Sequence, residues 1–244
     1  MKLLNKIVGV FGFKLVEKGL IKKQRLISQD TYLKIDTVLK KIFKKFEIRN
    51  VIHVGANDGI RFDELLKFLS SEKCNCILIE PMPIYFDELK KNFEHLKNLK
   101  FENSAISKNN ELNFLYAVKQ EYIEDYDEHI KGINSFDINH LIKHGVKKKH
   151  IEKLKVKTTN FEKLFKKYNI NDLDLLYVDT EGYDGEILIN FFETSKSKPI
   201  IIFEYIHIKN ETFKKVLNIL KKNEYSFFSL NENMICFEKK KNFL

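Results

Sequence analysis

Several short stretches of this 244-residue chain put carboxylates, glycines or small polar side chains where an apolar run stops. The first is Val51-Ile-His53-Val-Gly55-Ala56-Asn57-Asp58-Gly59. A glycine turn between a strand and a helix lets the backbone approach a ligand, with helix N–H groups facing it. The dinucleotide fingerprint would want glycines at 57 and 60, where Asn57 and Ile60 stand. G-x-x-x-G suits a smaller ligand end, such as an amino acid. A tight structural turn is the other reading.

Glu80 and Pro81 follow Ile77-Leu-Ile79. In a doubly wound sheet a carboxylate there lies beside the first turn and can accept from both hydroxyls of a ribose. Otherwise it is an exposed strand end. Ser104 and Ala105 follow a third run, where small residues let a flat ring lie close. Tyr177-Val-Asp179-Thr-Glu181-Gly-Tyr183-Asp184 gathers three carboxylates past a fourth run. Such acids need a cationic partner or a helix N-terminus to offset burial. A fifth run, Pro199–Phe203, ends in Glu204, with His207 just beyond. A carboxylate and an imidazole at one edge could serve as proton acceptor and orienter.

These residues need a scaffold that brings five run ends together. Apolar runs at 51–54, 76–79, 100–103, 173–178 and 199–205 alternate with helical patterns at 58–71, 85–96, 161–168, 186–192 and 212–222. That alternation predicts an α/β fold with a mostly parallel, doubly wound sheet. A further short strand is expected at 112–118 and another at 156–159. Tyr225–Leu230 and Met234–Phe237, around Asn231-Glu-Asn233, predict a closing antiparallel hairpin. Regularity fails over 119–153. This insertion is expected to cap the site, with Tyr122, Asn134 and Ser135 on the substrate together with Glu181. A solvated loop is the alternative. His140 and His144 stand four apart there, with His150 near. With no H-E-x-x-H pattern and no cysteine close by, they read as a solvated helix, and no metal is expected.

The net charge of +9 invites a nucleic-acid reading. Only Arg25, Arg49 and Arg61 supply the bidentate fork that phosphates and guanine edges favour, which counts against it. Residues 1–48 hold 12 basic and 4 acidic side chains, whereas the rest of the chain holds 31 and 30. The excess therefore sits on an N-terminal extension. Its apolar stripe (Tyr32, Ile35, Val38, Leu39, Ile42, Phe43, Phe46) has helical spacing. Such a segment meets an anionic membrane surface or an acidic partner, or packs its stripe on the enzyme or on a second subunit. No run is long enough to span a bilayer, and Ile7–Phe13 lacks a cleavage site. Cys74, Cys76 and Cys236 form no disulfide framework and read as small core residues of a cytoplasmic protein.

The constellation resembles the FkbM-type methyltransferases. The carriers are V-G-A-N-D-G (54–59), I-E-P-M-P (79–83), N-S-A-I-S (103–107), K-V-K-T-T-N-F-E-K-L-F (155–165), V-D-T-E-G-Y-D (178–184) and F-E (203–204), in order over 50–238. The resemblance implies a Rossmann-like domain over 49–244 that uses S-adenosylmethionine. It implies that Gly55, Ala56, Asn57, Asp58 and Gly59 hold the methionine end, and that Glu80 beside Pro81 binds the ribose. Ser104 and Ala105 would border the adenine, and Asp179 would lie near the transferring methyl. His53 stands where many methyltransferases have an acid for the cofactor's ammonium. The sugar acceptor, a glycan or polysaccharide precursor, is also implied by the resemblance. Asp179, Glu204 and His207 are the candidates for taking the hydroxyl proton. RNA, small-molecule and lipid acceptors are alternatives, as is a non-catalytic membrane-associated scaffold. A divalent ion and a homo-oligomer stay open.

Overall fold

The structure is a computed structural model that describes residues 34–61, 65–69, 74–108, 114–127, 130 and 132–241. The greater part of the basic N-terminal extension, residues 1–33, lies outside the described residues, as do 62–64, 70–71 and 112–113 of the expected elements.

Helix α1 (Ile35–Lys45) precedes strand β1 (Asn50–Val54) and a short helix α2 (Leu66–Leu69). Next come β2 (Asn75–Ile79), α3 (Pro83–Phe93), β3 (Leu99–Glu102) and a two-residue strand β4 (Ala105–Ile106). The cap follows as β5 (Phe114–Val118), α4 (Ile138–Lys143) and β6 (Ile151–Lys155). The chain returns through β7 (Thr158–Thr159), α5 (Phe161–Tyr168), β8 (Leu175–Val178), α6 (Asp184–Thr194), β9 (Ile200–Glu204) and α7 (Asn210–Lys222). It closes with the hairpin β10 (Tyr225–Leu230) and β11 (Asn233–Glu238).

Seven strands form one sheet in the order β10-β11-β9-β8-β1-β2-β3. The five from β9 to β3 run parallel, and β11 joins β9 antiparallel. This is the expected mixed, doubly wound sheet. The strands alternate between two cores. Val51, Cys76, Leu78, Leu175, Ile200 and Ile202 face one core, while Ile52, Ile77, Ile79, Leu176, Ile201 and Phe203 face the other. Both faces are covered, so each strand reads as a continuous apolar run. Helices α1 to α3 cover the first face and α5 to α7 the second. Strand β1 sits between β2 and β8, at the point where strand order reverses. Ligands of such sheets bind beyond the carboxyl ends of the strands at that point.

The described part of the N-terminal stripe packs on this sheet. Val38, Leu39 and Ile42 are buried in the same core as Val51 and Leu78, with Lys40, Lys41, Lys44 and Lys45 on the exposed side. Leu39→Ala is expected to lower stability by about 2–5 kcal/mol in chemical denaturation, the range for emptying a buried leucine site. A loss within error of zero would show that the helix adds nothing to the fold.

Two expectations need correction. The helix expected over 58–71 is α-helical only at α2 among the described residues, because Asp58–Arg61 forms a turn. The stretch 119–153 is not wholly irregular. It includes β6 from Ile151, which pairs antiparallel with β5, and helix α4. Strand β6 is half-buried at most, so Ile151-Glu-Lys-Leu-Lys155 carries little apolar alternation. The cap has its own small core of Val118, Ile130, Ile133, Leu141 and Val146.

Candidate active site

A cavity of about 470 Å³ opens at the carboxyl ends of β1, β2, β8 and β9, beneath the cap. His53, Gly55, Ala56, Asn57, Glu80, Pro81, Ser104, Ala105, Asp179, Glu181, Glu204 and His207 all line it, together with Asn134 and Ser135 from the cap. Residues from six separate stretches thus meet at one place.

The turn after β1 is shaped by its neighbour as much as by any ligand. Gly55 takes φ +85°, and a Cβ there would lie 1.7 Å from the carbonyl oxygen of Asp179. Its N–H, like that of Ala56, donates to the Ile79 carbonyl oxygen. The glycine therefore lets the β1 and β8 loops touch. Gly55→Ala must force those loops apart and strain a positive φ, so a loss of about 3 kcal/mol or more is expected in denaturant titration. Full retention of stability would refute this close approach.

Glu80 is buried, not an exposed strand end. Its Oε2 accepts from the Asn57 N–H at 3.0 Å and its Oε1 from the Met82 N–H at 2.8 Å. A carboxylate oxygen can accept more than one bond, so each retains capacity for a ligand hydroxyl. Burial pushes its pKa up to about 7. The Asn103 side-chain amide donates to the Glu80 carbonyl oxygen at 2.9 Å and fixes the strand end.

The loop after β8 is organised by Asp184, which is fully buried at the start of α6. It accepts from Thr180 N–H at 3.3 Å, Thr180 Oγ1 at 3.1 Å and Gly182 N–H at 3.2 Å. Asp184 is thus a structural carboxylate, with burial raising its pKa to about 7. Glu181 takes φ 53°, rare for a side chain other than glycine or asparagine, and its Oε2 lies 3.1 Å from His140 Nε2.

Glu204 and His207 stand 3.7 Å apart. Burial, then the nearby carboxylates led by Asp179 and Glu181, push the Glu204 pKa up to about 9. Its Oε2 is buried and has no hydrogen-bond partner among the described residues. At neutral pH Glu204 is therefore protonated and is no base in this state. Burial lowers the His207 pKa, leaving a neutral imidazole that can take a proton.

The sign of the pH effect follows. The unfolded chain releases the Glu204 proton near the ordinary value of 4.5, whereas the folded chain holds it to about 9. Stability from this group is full below the ordinary value and is lost as pH rises through the folded value. Melting temperature should fall between pH 7 and 9, and Glu204→Gln should flatten that fall. An unchanged slope in the variant would contradict the assignment.

Three expected residues lie elsewhere. Asp58 accepts from the Ile60 and Arg61 N–H groups and pairs with Arg61, so it caps the turn. Gly59 lies against Phe93, Leu66 and Leu89, which a Cβ would meet at 2.5 to 2.7 Å. Tyr122 stacks on His150 at 3.9 Å beside the cap core rather than lining the cavity. The expected cap helix is present with Asn139, Ile142 and Lys143 exposed, but its two histidines turn inward. His140 and His144 lie against His207, with ring centroids 4.8 and 5.1 Å away. Their spacing was legible, but the partner 63 residues on was not. Tyr183 was likewise missed as a cavity residue. It packs on Phe136 of the cap at 4.6 Å, and its apolar neighbours are not adjacent in sequence.

The fold and the cavity define a class, the Rossmann-like methyltransferases: a doubly wound sheet closed by an antiparallel hairpin, with a buried acid ending β2 and acids ending β8 and β9. The methyltransferase FkbM domain matches residues 53–227, so the chain belongs to the FkbM methyltransferase family. No curated protein matches the chain. Among solved structures, the chain is similar to methyltransferase FkbM from Methylobacillus flagellatus (12% identity, TM-score 0.46). That match covers 78% of this chain and 44% of the other. It is similar to a putative caffeoyl-CoA O-methyltransferase from Staphylococcus aureus (12% identity, TM-score 0.44, 97% and 91% covered). It is also similar to a precorrin-6y C5,15-methyltransferase from Geobacter metallireducens (10% identity, TM-score 0.42, 82% and 83% covered).

The family implies S-adenosylmethionine, and the residues present fit it. Glu80 has acceptor capacity for a ribose, Ser104 and Ala105 are small at the neighbouring strand end, and Asp179 and Glu181 suit a cation. His53 is buried at the position of the expected acid, with its ring edge-on to Tyr177 at 4.9 Å.

Proposed function

We propose that this chain methylates a hydroxyl group of a sugar, in a glycan or polysaccharide precursor, from S-adenosylmethionine. The observation that carries the reading is His207, held neutral by burial, lining one cavity with Asp179 and with Asn134 and Ser135 of the cap. The cofactor supplies an electrophilic methyl group on a sulfonium. Everything else falls to the protein. Glu80 binds the ribose, while the turn from Gly55 to Asn57 holds the methionine end.

Alignment of the reactants can contribute about 7–11 kcal/mol to such a displacement. A sugar hydroxyl is a weak nucleophile at neutral pH. His207 or Asp179 takes its proton, a contribution of ~10²–10⁴-fold. The cavity offers what a carbohydrate needs, the amide of Asn134 and the hydroxyl of Ser135 from the cap and the ring of Tyr183 from the start of α6. Ser135 Oγ also donates to the Glu181 carbonyl oxygen at 3.3 Å, which fastens the cap to the β8 loop.

No helix among the described residues is long and apolar enough to cross a membrane. We place the reaction in the cytoplasm; α1 packs its apolar stripe on the core, so the lysine side of α1 is the described part of the N-terminal extension that faces outward toward the inner membrane face, a partner or a second copy. A screen of nucleotide-sugars and glycans with methyl-labelled cofactor tests the acceptor class. Label in a sugar hydroxyl is expected. Label only in RNA or in a lipid would overturn it.

A further inference from the structure

Three imidazoles from two distant parts of the chain converge beside the cavity, with His144 and His207 in its wall. Helix α4 carries His140, and its C-cap is His144 four residues on, with ring centroids 4.6 Å from each other. His207, in the turn between β9 and α7, lies against both. One nitrogen from each can be chosen so that all three lie within 4.8 Å of one another. We propose that His140, His144 and His207 bind a divalent transition-metal ion of the zinc type, with Glu181 as the orienting carboxylate.

The ligand chemistry sets the class of ion. Magnesium and calcium take oxygen ligands, whereas imidazoles suit zinc and its neighbours. Zinc–nitrogen bonds of about 2.0–2.1 Å require the rings to close in modestly, which rotation of three half-buried side chains provides. Glu181 already lies 3.1 Å from His140 Nε2, the type of carboxylate contact that fixes a metal-ligating imidazole. A second group, Glu181, Glu204 and His207, meets the same distance criterion and adds carboxylates beside the ion.

His144, His207, Glu181 and Glu204 line the cavity, so the ion's remaining position opens inward. Three protein ligands with one open position is the pattern of a catalytic site, not a closed structural one. The ion would also tie the cap to the carboxyl edge of the sheet. On the acceptor reading above, on which this clause rests, it would bind the entering hydroxyl and ease its deprotonation. His207 would then serve as ligand, and Asp179 would take the proton.

The test uses the full chain, stripped with chelator and without cofactor or acceptor. Zinc is titrated against a chromogenic chelator, and cobalt absorption reports the ligand field. One equivalent of zinc per chain is expected, with imidazole-type cobalt bands. The His140→Ala/His144→Ala double variant should lose this binding, and Glu181→Gln should weaken it by ~10–100-fold, the usual effect of removing an orienting partner. The exposed His95→Ala control should bind as wild type. Equal binding by wild type and the double variant would overturn the proposal. So would the absence of zinc binding in the wild type, a result that needs no variant to fold. Because no cofactor is present, failure here leaves the methyl-transfer reading standing, while loss of cofactor binding leaves the zinc titration intact.

Discussion

Glu80→Ala is expected to abolish the thermal stabilisation that S-adenosylmethionine gives the wild-type chain. Glu80 is the buried acid at the end of β2, and its two oxygens are each held by one backbone N–H. Those two bonds aim the carboxylate beside the turn after β1 and leave acceptor capacity on both oxygens. Hydrogen bonds to a charged group contribute about 1.5–3 kcal/mol each, so losing two to a ribose should weaken binding by ~10²–10⁴-fold. Calorimetry gives the affinity directly.

The variant also leaves the Asn57 and Met82 N–H groups without their acceptor. Glu80→Gln, which keeps one acceptor oxygen, should therefore fold closer to wild type yet still bind weakly. A wild-type cofactor shift in Glu80→Ala would remove the ribose assignment.

The second large effect concerns proton removal. His207→Ala and Asp179→Asn should each lower turnover at saturating cofactor, with at least one falling by ~10²–10⁴-fold. What decides the role is which groups can accept a proton at neutral pH. Glu204 is excluded in the ligand-free chain, since burial and neighbouring carboxylates keep its proton on to about pH 9. Burial leaves His207 neutral. Asp179 follows β8 directly, with its N–H donating to the Val54 carbonyl oxygen at 3.0 Å, so it is fixed opposite the β1 turn. Initial rates with labelled cofactor measure both variants. Near-normal turnover in both would sink the assignment.

Much of the fold was legible because the sheet is buried on both faces. Runs such as Leu173–Val178 and Pro199–Phe203 can be little else than central strands. Their ends were legible for the same reason, since an acid after such a run has few benign explanations. Glu80 illustrates both the strength and the gap. Its place at the strand end could be read from sequence, but its burial and its two backbone donors could not.

What escaped the sequence lies mainly in the cap. Strand β6 is largely polar, and none of its residues is fully buried. The role of Tyr122 could not be told from composition, because its partner His150 lies 28 residues on. Gly55 was legible as a turn, yet its need for glycine comes from the Asp179 backbone, a contact that only the fold creates. The histidine cluster is the same case at a larger scale. His140 sits on α4 and His144 at its C-cap, and the third arrives from the turn after β9.

A structure of the full chain with bound S-adenosylhomocysteine tests the central claim most directly. The account predicts both ribose hydroxyls on the Glu80 carboxylate, the adenine bordered by Ser104 and Ala105, and the sulfur facing Asp179. A cofactor seated outside this cavity, or one whose ribose leaves Glu80 bonded only to Asn57 and Met82, would contradict it.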